Sequence, residues 1–354
     1  HLDIAKILVL EQWLNEQVYD IPLICISHDR SFLANCTNKT VFLRAKEIKE
    51  FNYSYVQASE LLQQNEEANA ARRSKELKEL NRLKKSAHDL RQIGVNNYSA
   101  AALKKSIQIA KRAQGIENNL TTVAVEEKRS IKLSNSGIQS KKMIGLEKLT
   151  IKTPNGEPLF YIDQLDILQG DRLVIFGANG TGKSQLLKFL HEAAKNPDFA
   201  RNSNTSVSPS LKPAYIDQHM SHLPLTISVH DYFNQELSLG DQKTTSVLVG
   251  AGFPVAIQKS KLSALSPGQR ARVAFLTLHL LQPNFYIMDE PTNHLDIEGQ
   301  EQLEAEIIEQ GAGSVVVSHD REFSKKIGTK FYQIENKKLI RIEAPEVYYK
   351  KMES

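Results

Sequence analysis

The sequence predicts an α/β protein with a mainly parallel sheet, to which an α-helical hairpin is attached. Three continuous apolar runs, at 173–176, 285–288 and 314–317, each end at a polar or glycine-rich turn. Buried parallel strands with functional loops at their carboxyl ends have this pattern. Between residues 60 and 118, apolar side chains instead recur at helical spacing, which predicts two antiparallel helices with a narrow apolar seam.

The composition excludes several classes of protein. The 354 residues are 41% hydrophobic and 24% charged, which is typical of a folded chain and excludes general disorder. No apolar run approaches the roughly 18 residues that a membrane helix needs, and the best stretch, 247–257, is interrupted by glycine and by Pro254. Two cysteines cannot form a disulfide framework. These observations predict a cytoplasmic protein with no membrane among its partners.

Residues 1–59 have the pattern of the last part of an α/β unit. A helical pattern leads to an apolar run at 21–26, which we expect to be a short buried strand that contains a reduced Cys25. Two short β-like segments follow, at 40–43 and 47–51.

Residues 60–118 form the predicted hairpin, with a turn at 94–97 and Ser99 as the N-cap of the second helix. From Arg72 to Arg112 there are twelve lysine and arginine residues against three acidic ones, a net charge of +9, whereas the whole chain carries +4. Positive charge at this density indicates an anionic partner, although a solvated spacer is the alternative. Residues 119–142 are expected to be a loose connector between this hairpin and an α/β domain at 143–354.

A phosphate-binding loop is predicted at 177–184, where the sequence fits G-x-x-x-x-G-K-[ST] directly after a predicted strand and before a predicted helix at 185–192. Glycines let backbone N–H groups turn inward around phosphate oxygens, and the helix N-terminus adds positive potential. In this arrangement Lys183 would reach the β- and γ-phosphates and the Ser184 hydroxyl would bind Mg²⁺.

Polar side chains follow the other two apolar runs. Asp289 is well placed to hold Mg²⁺, and the adjacent Glu290 could polarise an attacking water as a general base. His319 would lie at the same sheet edge, where an imidazole can hydrogen-bond a γ-phosphate or that water. A solvated strand end is the alternative for each of them taken alone.

A helix start is predicted at Leu-Ser-Pro-Gly-Gln, residues 265–269, and by itself this is an ordinary capped helix. Its position in the chain favours a functional interpretation. The order is phosphate loop, Gln218, this segment, the Asp-Glu pair, and then His319.

With these motifs, residues 143–354 resemble an ABC-type nucleotide-binding domain that binds ATP and Mg²⁺. The resemblance implies a Walker A site, a Walker B pair, a Q-loop, a signature, a D-loop and a switch histidine. The implied catalytic residues are Glu290, His319 and Gln218, and the implied metal ligands are Ser184, Gln218 and Asp289. The implied nucleotide-binding residues are Gly177, Asn179, Gly180, Thr181, Gly182, Lys183, Ser184, Ser266, Gly268 and Asp296.

Two positions depart from the family pattern. Pro267 stands where the signature usually has glycine, and because proline lacks an N–H we expect it to weaken a γ-phosphate contact. No aromatic residue is in the usual place to stack on adenine, since Phe160 and Tyr161 are displaced from it. The preference for ATP is therefore implied by the resemblance alone.

The chain also repeats itself. His1-Leu2-Asp3 matches His-Leu-Asp at 294–296, and Ser-His-Asp-Arg at 27–30 matches the same four residues at 318–321. We therefore expect residues 1–59 to be the end of a first nucleotide-binding domain, most of which is missing, and residues 143–354 to be the second.

Tandem domains, the sequence Asp-Glu-Pro-Thr-Asn-His-Leu-Asp at 289–296 and a basic interdomain hairpin resemble the ABC-F family. The resemblance implies an ATPase that acts on the ribosome as a translation factor or in antibiotic resistance, with the hairpin on ribosomal RNA and tRNA. The missing first domain would be its partner in cis, so that this chain alone would be weakly active or would dimerise. The alternatives are the ATPase subunit of a transporter, which would co-purify with membranes, and a nucleic-acid-associated ATP clamp.

Overall fold

The computed structural model describes residues 4–18, 21–43, 47–120, 131–136 and 141–353. The repeat at His1–Asp3 and most of the predicted connector at 119–142 lie outside these ranges. The chain forms two compact units, His1–Cys36 with Lys128–Ser354 and Thr37–Glu127. Residues 37–59, which we grouped with the first domain from the sequence, belong to the same unit as the hairpin.

The helices and strands have the following bounds. The helices are α1 (Ile4–Gln17), α2 (Arg30–Cys36), α3 (Tyr55–Asn96), α4 (Ala100–Asn118), α5 (Lys183–Lys195), α6 (Pro197–Asn202), α7 (Val229–Leu237), α8 (Asp241–Gly250), α9 (Val255–Gln258), α10 (Pro267–Leu281), α11 (Ile297–Gln310), α12 (Arg321–Ile327) and α13 (Pro345–Glu353). The strands are β1 (Thr40–Leu43), β2 (Ile48–Phe51), β3 (Lys142–Lys152), β4 (Pro158–Leu168), β5 (Arg172–Phe176), β6 (Thr205–Val207), β7 (Pro213–Ile216), β8 (Phe285–Asp289), β9 (Gly313–Val317), β10 (Lys330–Glu335) and β11 (Lys338–Ile342).

The first unit is built on one sheet with the strand order β6-β3-β4-β11-β10-β5-β9-β8-β7. Strands β10, β5, β9, β8 and β7 run parallel to one another, while the pairs β3–β4, β3–β6 and β10–β11 are antiparallel. The predicted α/β fold with a mainly parallel sheet is confirmed.

The three apolar runs form the buried centre of this sheet as β5, β8 and β9. Val174 and Phe176 pack into the hydrophobic cluster on one face, whereas Leu173 and Ile175 pack into the cluster on the other face. Because both faces of these strands are covered, their side chains are apolar on both faces and do not alternate with polar ones. The functional loops are therefore held by a rigid, fully packed sheet.

The buried strand that we predicted at 21–26 is wrong for this chain. Residues 22–27 have no regular structure, Ile24 and Ile26 are more than 90% exposed, and Cys25 is only half-buried. A strand needs a neighbour to satisfy its backbone N–H and C=O groups. None of the described strands lies beside this segment, so its apolar side chains cannot be buried by pairing.

The second unit contains the predicted helical hairpin, which is confirmed. It begins with an antiparallel pair, β1 and β2, followed by α3 and α4. The Ser99 hydroxyl caps α4 by accepting a hydrogen bond from the backbone N–H of Ala102. A small core of Leu80, Leu83 and Ala113 joins the two arms.

None of the helices in the described ranges combines the length and apolar character that a membrane span requires.

Candidate nucleotide-binding site

The candidate site is set by four neighbouring parallel strands. Strands β5, β9, β8 and β7 lie side by side, so their carboxyl ends meet at one edge of the sheet. The phosphate loop follows β5, the Asp-Glu pair ends β8, His319 follows β9, and Gln218 follows β7. Ligand sites of open parallel sheets lie at such edges.

The phosphate loop has backbone geometry that requires glycine. Gly180 and Gly182 have φ of +81° and +104°. A Cβ atom on Gly182 would also lie 2.9 Å from Leu159 Cδ1. The chain can therefore turn sharply into α5, whose first residue is Lys183, and present backbone N–H groups there.

Lys183 is buried and lies over this loop. Its ammonium donates hydrogen bonds to the carbonyl oxygens of Gly177, at 2.7 Å, and Ala178, at 3.1 Å. The Thr181 hydroxyl donates to Ala178 as well, at 2.9 Å. The positive charge is thus held inside the concave loop, where a phosphate group would complement it.

Ser184 and Asp289 form the candidate metal site. The Ser184 hydroxyl is hydrogen-bonded to the buried Asp289 carboxylate. Burial raises the pKa of Asp289, while that hydrogen bond and the charge of Lys183 oppose the rise. A hydroxyl and a carboxylate in contact are oxygen donors of the kind that Mg²⁺ prefers, so these two residues fit this ion.

Glu290 and His319 lie against each other. The His319 backbone N–H donates to Glu290 Oε2 at 3.0 Å, and His319 Nε2 lies 3.4 Å from Glu290 Oε1. Burial, reinforced by the charge of Asp289, raises the pKa of Glu290 to about 8, and the hydrogen bond from His319 opposes the rise. A carboxylate whose pKa is near neutral can accept a proton from water, which is what a general base requires.

Gln218 is half-buried just after β7, and its backbone carbonyl oxygen is 3.1 Å from His294 Nε2. The preceding Asp217 organises the loop, since its carboxylate accepts backbone hydrogen bonds from His219 and Ser221. Burial raises the pKa of Asp217, but these hydrogen bonds and one from the Ser221 hydroxyl outweigh it, so the pKa is lowered.

The signature segment begins α10, with Ser266 as its N-cap. The Ser266 hydroxyl accepts from the Gln269 N–H, and the Gln269 side chain accepts from the Ser266 N–H, which makes a capping box. Pro267 is the first helical residue, where the backbone N–H has no intrahelical partner, so proline fits this turn without strain. Its effect on a γ-phosphate contact stays a prediction.

Gly268 and Asp296 lie together. They line a small cavity of about 50 Å³ with His294, Leu295 and Gly299, among others. A Cβ atom on Gly268 would be 3.0 Å from the His294 carbonyl oxygen, and Asp296 caps α11 through the Gly299 N–H. The sequence prediction missed His294, which connects this cluster to Gln218. Its position between the Walker B pair and Asp296 could have indicated a functional role.

Phe160 is buried beneath the phosphate loop, 3.1 Å from the position of a Cβ atom on Gly182. It therefore supports the loop from below and cannot stack on a base. Tyr161 is half-buried in β4, with its backbone N–H bonded to the Lys337 carbonyl.

Comparisons with known proteins agree with this geometry. Residues 162–293 match the model of the family described as ABC transporter. The chain is 32% identical over 353 residues to the "Probable ATP-binding protein YbiT" of Escherichia coli O157:H7, covering 96% of this chain and 62% of that protein. It is 28% identical over 337 residues to the "ABC transporter F family member 2" of Arabidopsis thaliana, covering 94% and 48%.

A third relative is the "Ribosome protection protein VmlR" of Bacillus subtilis, which is 27% identical over 346 residues, with coverage of 92% and 61%. Among solved structures, the one titled "Model of ribosome-bound archaeal Pelota and ABCE1" has a TM-score of 0.60 at 16% identity, over 99% of this chain and 53% of that chain. This structural likeness shows the fold alone.

The fold and the sheet-edge site define the class of protein, since residues 162–293 lie in an ABC-type nucleotide-binding domain. The relatives then indicate the family, since the chain is similar over nearly its whole length to proteins that include an ABC transporter F family member, as the sequence motifs predicted. The chain spans about half the length of the curated relatives it matches.

Proposed function

We propose that this chain supplies ATP binding and ATP hydrolysis to an ABC-F protein that acts on the ribosome in the cytoplasm. The observation that carries the proposal is the combination of two features in one chain. One is the sheet edge at which Lys183, Ser184, Asp289, Glu290 and His319 converge, and the other is the basic hairpin of α3 and α4.

The chemistry at the sheet edge is the transfer of a phosphoryl group from ATP to water. Lys183 and the loop N–H groups bind the phosphates, and Ser184, Asp289 and Gln218 would hold Mg²⁺, which neutralises charge on the phosphate oxygens when bound. Glu290 accepts a proton from the attacking water, and His319 is positioned beside it to hydrogen-bond that water or the γ-phosphate.

The hairpin supplies the ribosome-binding surface. Some of its cations are used within the hairpin, because Lys84 pairs with Glu117 at 2.7 Å and Arg112 pairs with Glu79 at 3.1 Å. Other lysines are exposed and form no salt bridge with a described residue, namely Lys85, Lys104 and Lys105. Such side chains suit the phosphates of folded RNA, which is recognised largely by shape and backbone.

Tyr98 is the only aromatic residue between 60 and 118, and it lies at the turn between the arms with 96% of its surface exposed. One aromatic residue is too few for the stacking of successive bases that single-strand binding proteins use. The short turn from α3 to α4 also favours a translation factor over an antibiotic-resistance protein, whose hairpin tips are often longer.

The test is co-sedimentation with ribosomes across a salt series. Reversing Lys85, Lys104 and Lys105 to glutamate removes cations that make no cross-arm pair, so the hairpin should stay folded. If each contacts one phosphate, the slope of log affinity against log salt falls by up to about three. The matched control reverses three exposed lysines of the other unit, Lys259, Lys261 and Lys338, and should leave the slope unchanged.

Equal retention of the wild type and the hairpin variant at every salt concentration would mean that the hairpin is only a spacer. Retention by membranes in place of ribosomes would support the ATPase subunit of a transporter. Salt-sensitive binding to any RNA or DNA, without preference for ribosomes, would support the nucleic-acid-associated clamp.

A further inference from the structure

The two sequence repeats lie against each other in the first unit and have the same local structure. Helices α1 and α11 each contain 14 residues, and α2 and α12 each contain seven. Asp29 and Asp320 precede α2 and α12 and make the same bonds, since each N–H is 3.0–3.1 Å from the serine hydroxyl two residues earlier. Each carboxylate also accepts from the phenylalanine N–H three residues later, at 2.9 Å.

The arginines that follow these aspartates reach across to the opposite repeat. Arg30 donates to Glu304 and lies 3.6 Å from Asp320. In the reciprocal arrangement, Arg321 donates to Glu11 and lies 3.6 Å from Asp29. Glu11 and Glu304 are equivalent positions, because each stands eight residues after the aspartate of a His-Leu-Asp motif.

A second contact of each glutamate is matched in the same way between the two repeats. Lys326 donates to Glu304 at 2.8 Å, and Asn35 donates to Glu11 at 3.1 Å. Each of these donors stands five residues after the arginine of its own repeat. Three pairs of contacts are therefore matched by a pseudo-twofold exchange of the two repeats. We call the residues that make them the reciprocal arginine network. Its members are Arg30, Glu304, Asp320, Lys326, Arg321, Glu11, Asp29 and Asn35.

The centre of the network is buried, which gives the contacts between its arginines and glutamates energetic weight. Arg30, Arg321, Glu11 and Glu304 are all at least nine-tenths buried. Charges out of water need well-placed partners, and a buried charge that loses its partner is strongly unfavourable. As long as these charges remain paired, the two repeats are held in one position relative to each other.

The network reaches the candidate site through one residue. Asp320 directly follows His319, and its backbone is held by Ser318, whose hydroxyl lies 3.4 Å from that of Thr292. From this geometry we propose that Arg30 is a positioning residue for His319, and that Arg321 acts in the same way on the His28 loop of the opposite repeat. The inference rests on the proposed function, in which His319 contacts the γ-phosphate or the attacking water.

If Arg30 fixes the His319 loop, its loss affects ligands that carry a γ-phosphate and spares those that lack it. ADP affinity depends on the phosphate loop, which has no member of the network. The ratio of the affinities for a non-hydrolysable ATP analogue and for ADP therefore separates positioning of His319 from a general loss of structure.

The experiment measures both affinities, with Mg²⁺, for the whole chain and four variants. The double variant Arg30→Met/Glu304→Gln removes both charges of the Arg30–Glu304 pair, so that neither is left unpaired, while Asp320 loses the guanidinium that lies 3.6 Å away. Arg30→Lys keeps the charge but replaces the rigid planar guanidinium by a compact ammonium on a flexible stem, which changes the geometry at Glu304 and Asp320. His319→Gln is the reference for loss of the imidazole, and Lys326→Met is the matched control, because Lys326 contacts Glu304 without reaching Asp320.

We expect the double variant, Arg30→Lys and His319→Gln each to weaken the ATP analogue about five- to tenfold and to leave ADP binding unchanged, while Lys326→Met changes neither. The imidazole NMR signal of His319, assigned by its absence in His319→Gln, should shift in both Arg30 variants and stay in place in Lys326→Met. The position of this NMR signal reports on the conformation of the His319 loop, even if a variant changes nucleotide affinity by lowering the stability of the fold.

Two results overturn the inference and are distinguishable. If His319→Gln lowers the ratio but both Arg30 variants retain it with an unshifted imidazole signal, the proposed site stands and the positioning role fails. If His319→Gln itself leaves the ratio unchanged, the role of His319 in the proposed function fails and the inference fails with it.

Discussion

Glu290 combines three properties that seldom occur together in one side chain. It is 94% buried, its backbone has φ of +52°, and its pKa is raised to about 8. A non-glycine residue in the left-handed region is strained, and such strain persists where the surroundings fix the residue and often where function needs it. Here the backbone N–H bonds to the Val317 carbonyl, which ties the carboxylate to β9 and His319.

Replacing Glu290 by glutamine should separate binding from hydrolysis. The amide oxygen can still accept the hydrogen bond from the His319 N–H, so the loop keeps its shape, but an amide cannot accept a proton from water. We expect nucleotide affinity within about twofold of the wild type and single-turnover hydrolysis slower by about 10²-fold or more. Quench-flow with radiolabelled ATP measures the hydrolysis step directly, in a protein able to turn ATP over.

Glu309→Gln provides the matched control, because it makes the same chemical change on the exposed face of α11. Nucleotide affinity and the rate of single-turnover hydrolysis should both be unchanged in Glu309→Gln. Unchanged single-turnover hydrolysis in Glu290→Gln would assign the base to another residue.

At the residue scale, the sequence predicted which strand ends carry the candidate residues but not how the protein holds their side chains. Lys183, Asp289 and His319 could be predicted because each follows an apolar run, and the ends of parallel strands share one edge. The contact of His294 with the Gln218 backbone carbonyl joins segments that are distant in the chain, so spacing gives no signal for it, whereas the capping box of Ser266 and Gln269 follows a local spacing.

At the scale of elements, prediction succeeded where the pattern is local and failed where it depends on a partner. The three central strands and the two hairpin helices were predicted within a few residues, since their periodicity lies in the chain itself. The run at 21–26 has equally good strand character, yet it forms no strand because no described strand pairs with it. Hydrophobicity alone therefore shows that a segment could be buried, and only its neighbours decide whether it is.

The two glycines of the hairpin should respond oppositely to substitution. A Cβ atom on Gly94 would lie 2.7 Å from Leu103 Cγ, so this glycine permits the close approach of α3 and α4 near the turn. We expect Gly94→Val to destabilise the hairpin by about 1–3 kcal/mol through overpacking. Gly115 has nothing within 4 Å of its Cβ position, so Gly115→Ala should stabilise α4 by about 0.5–1 kcal/mol.

Thermal unfolding followed by far-ultraviolet circular dichroism measures both effects, with hydrogen exchange of α3 and α4 to localise them. Stability losses of equal size in both variants would mean that helix composition, and not the contact with Leu103, governs this element.

At the scale of the whole molecule, the sequence contains some functional motifs once and others twice. The motif G-x-x-x-x-G-K-[ST] occurs once, at 177–184, whereas the Ser-His-Asp-Arg segment occurs twice. Family resemblance implies that each nucleotide lies between the Walker A loop of one domain and the signature of another. Lys183 and Ser266 would then serve different nucleotides.

We therefore predict that the isolated chain binds one Mg-nucleotide, hydrolyses it weakly, and gains activity only as two chains pair. Turnover per chain should rise with protein concentration, in parallel with the dimer fraction measured by light scattering. Two inactive variants sharpen the test. Lys183→Ala removes the phosphate-binding charge, and Ser266→Asp keeps an N-cap while it places a negative charge against the γ-phosphate.

Mixing these two variants should restore activity, because a mixed pair contains one intact site built from the Lys183 of one chain and the Ser266 of the other. The mixed pairs are half of all pairs at equal concentrations and hold one working site of two, so about a quarter of the wild-type turnover is expected when association is unaffected. Each variant alone should show none of this recovery at any concentration. Turnover per chain that is independent of concentration, with no recovery on mixing, would instead mean that Lys183 and Ser266 of a single chain act on the same nucleotide.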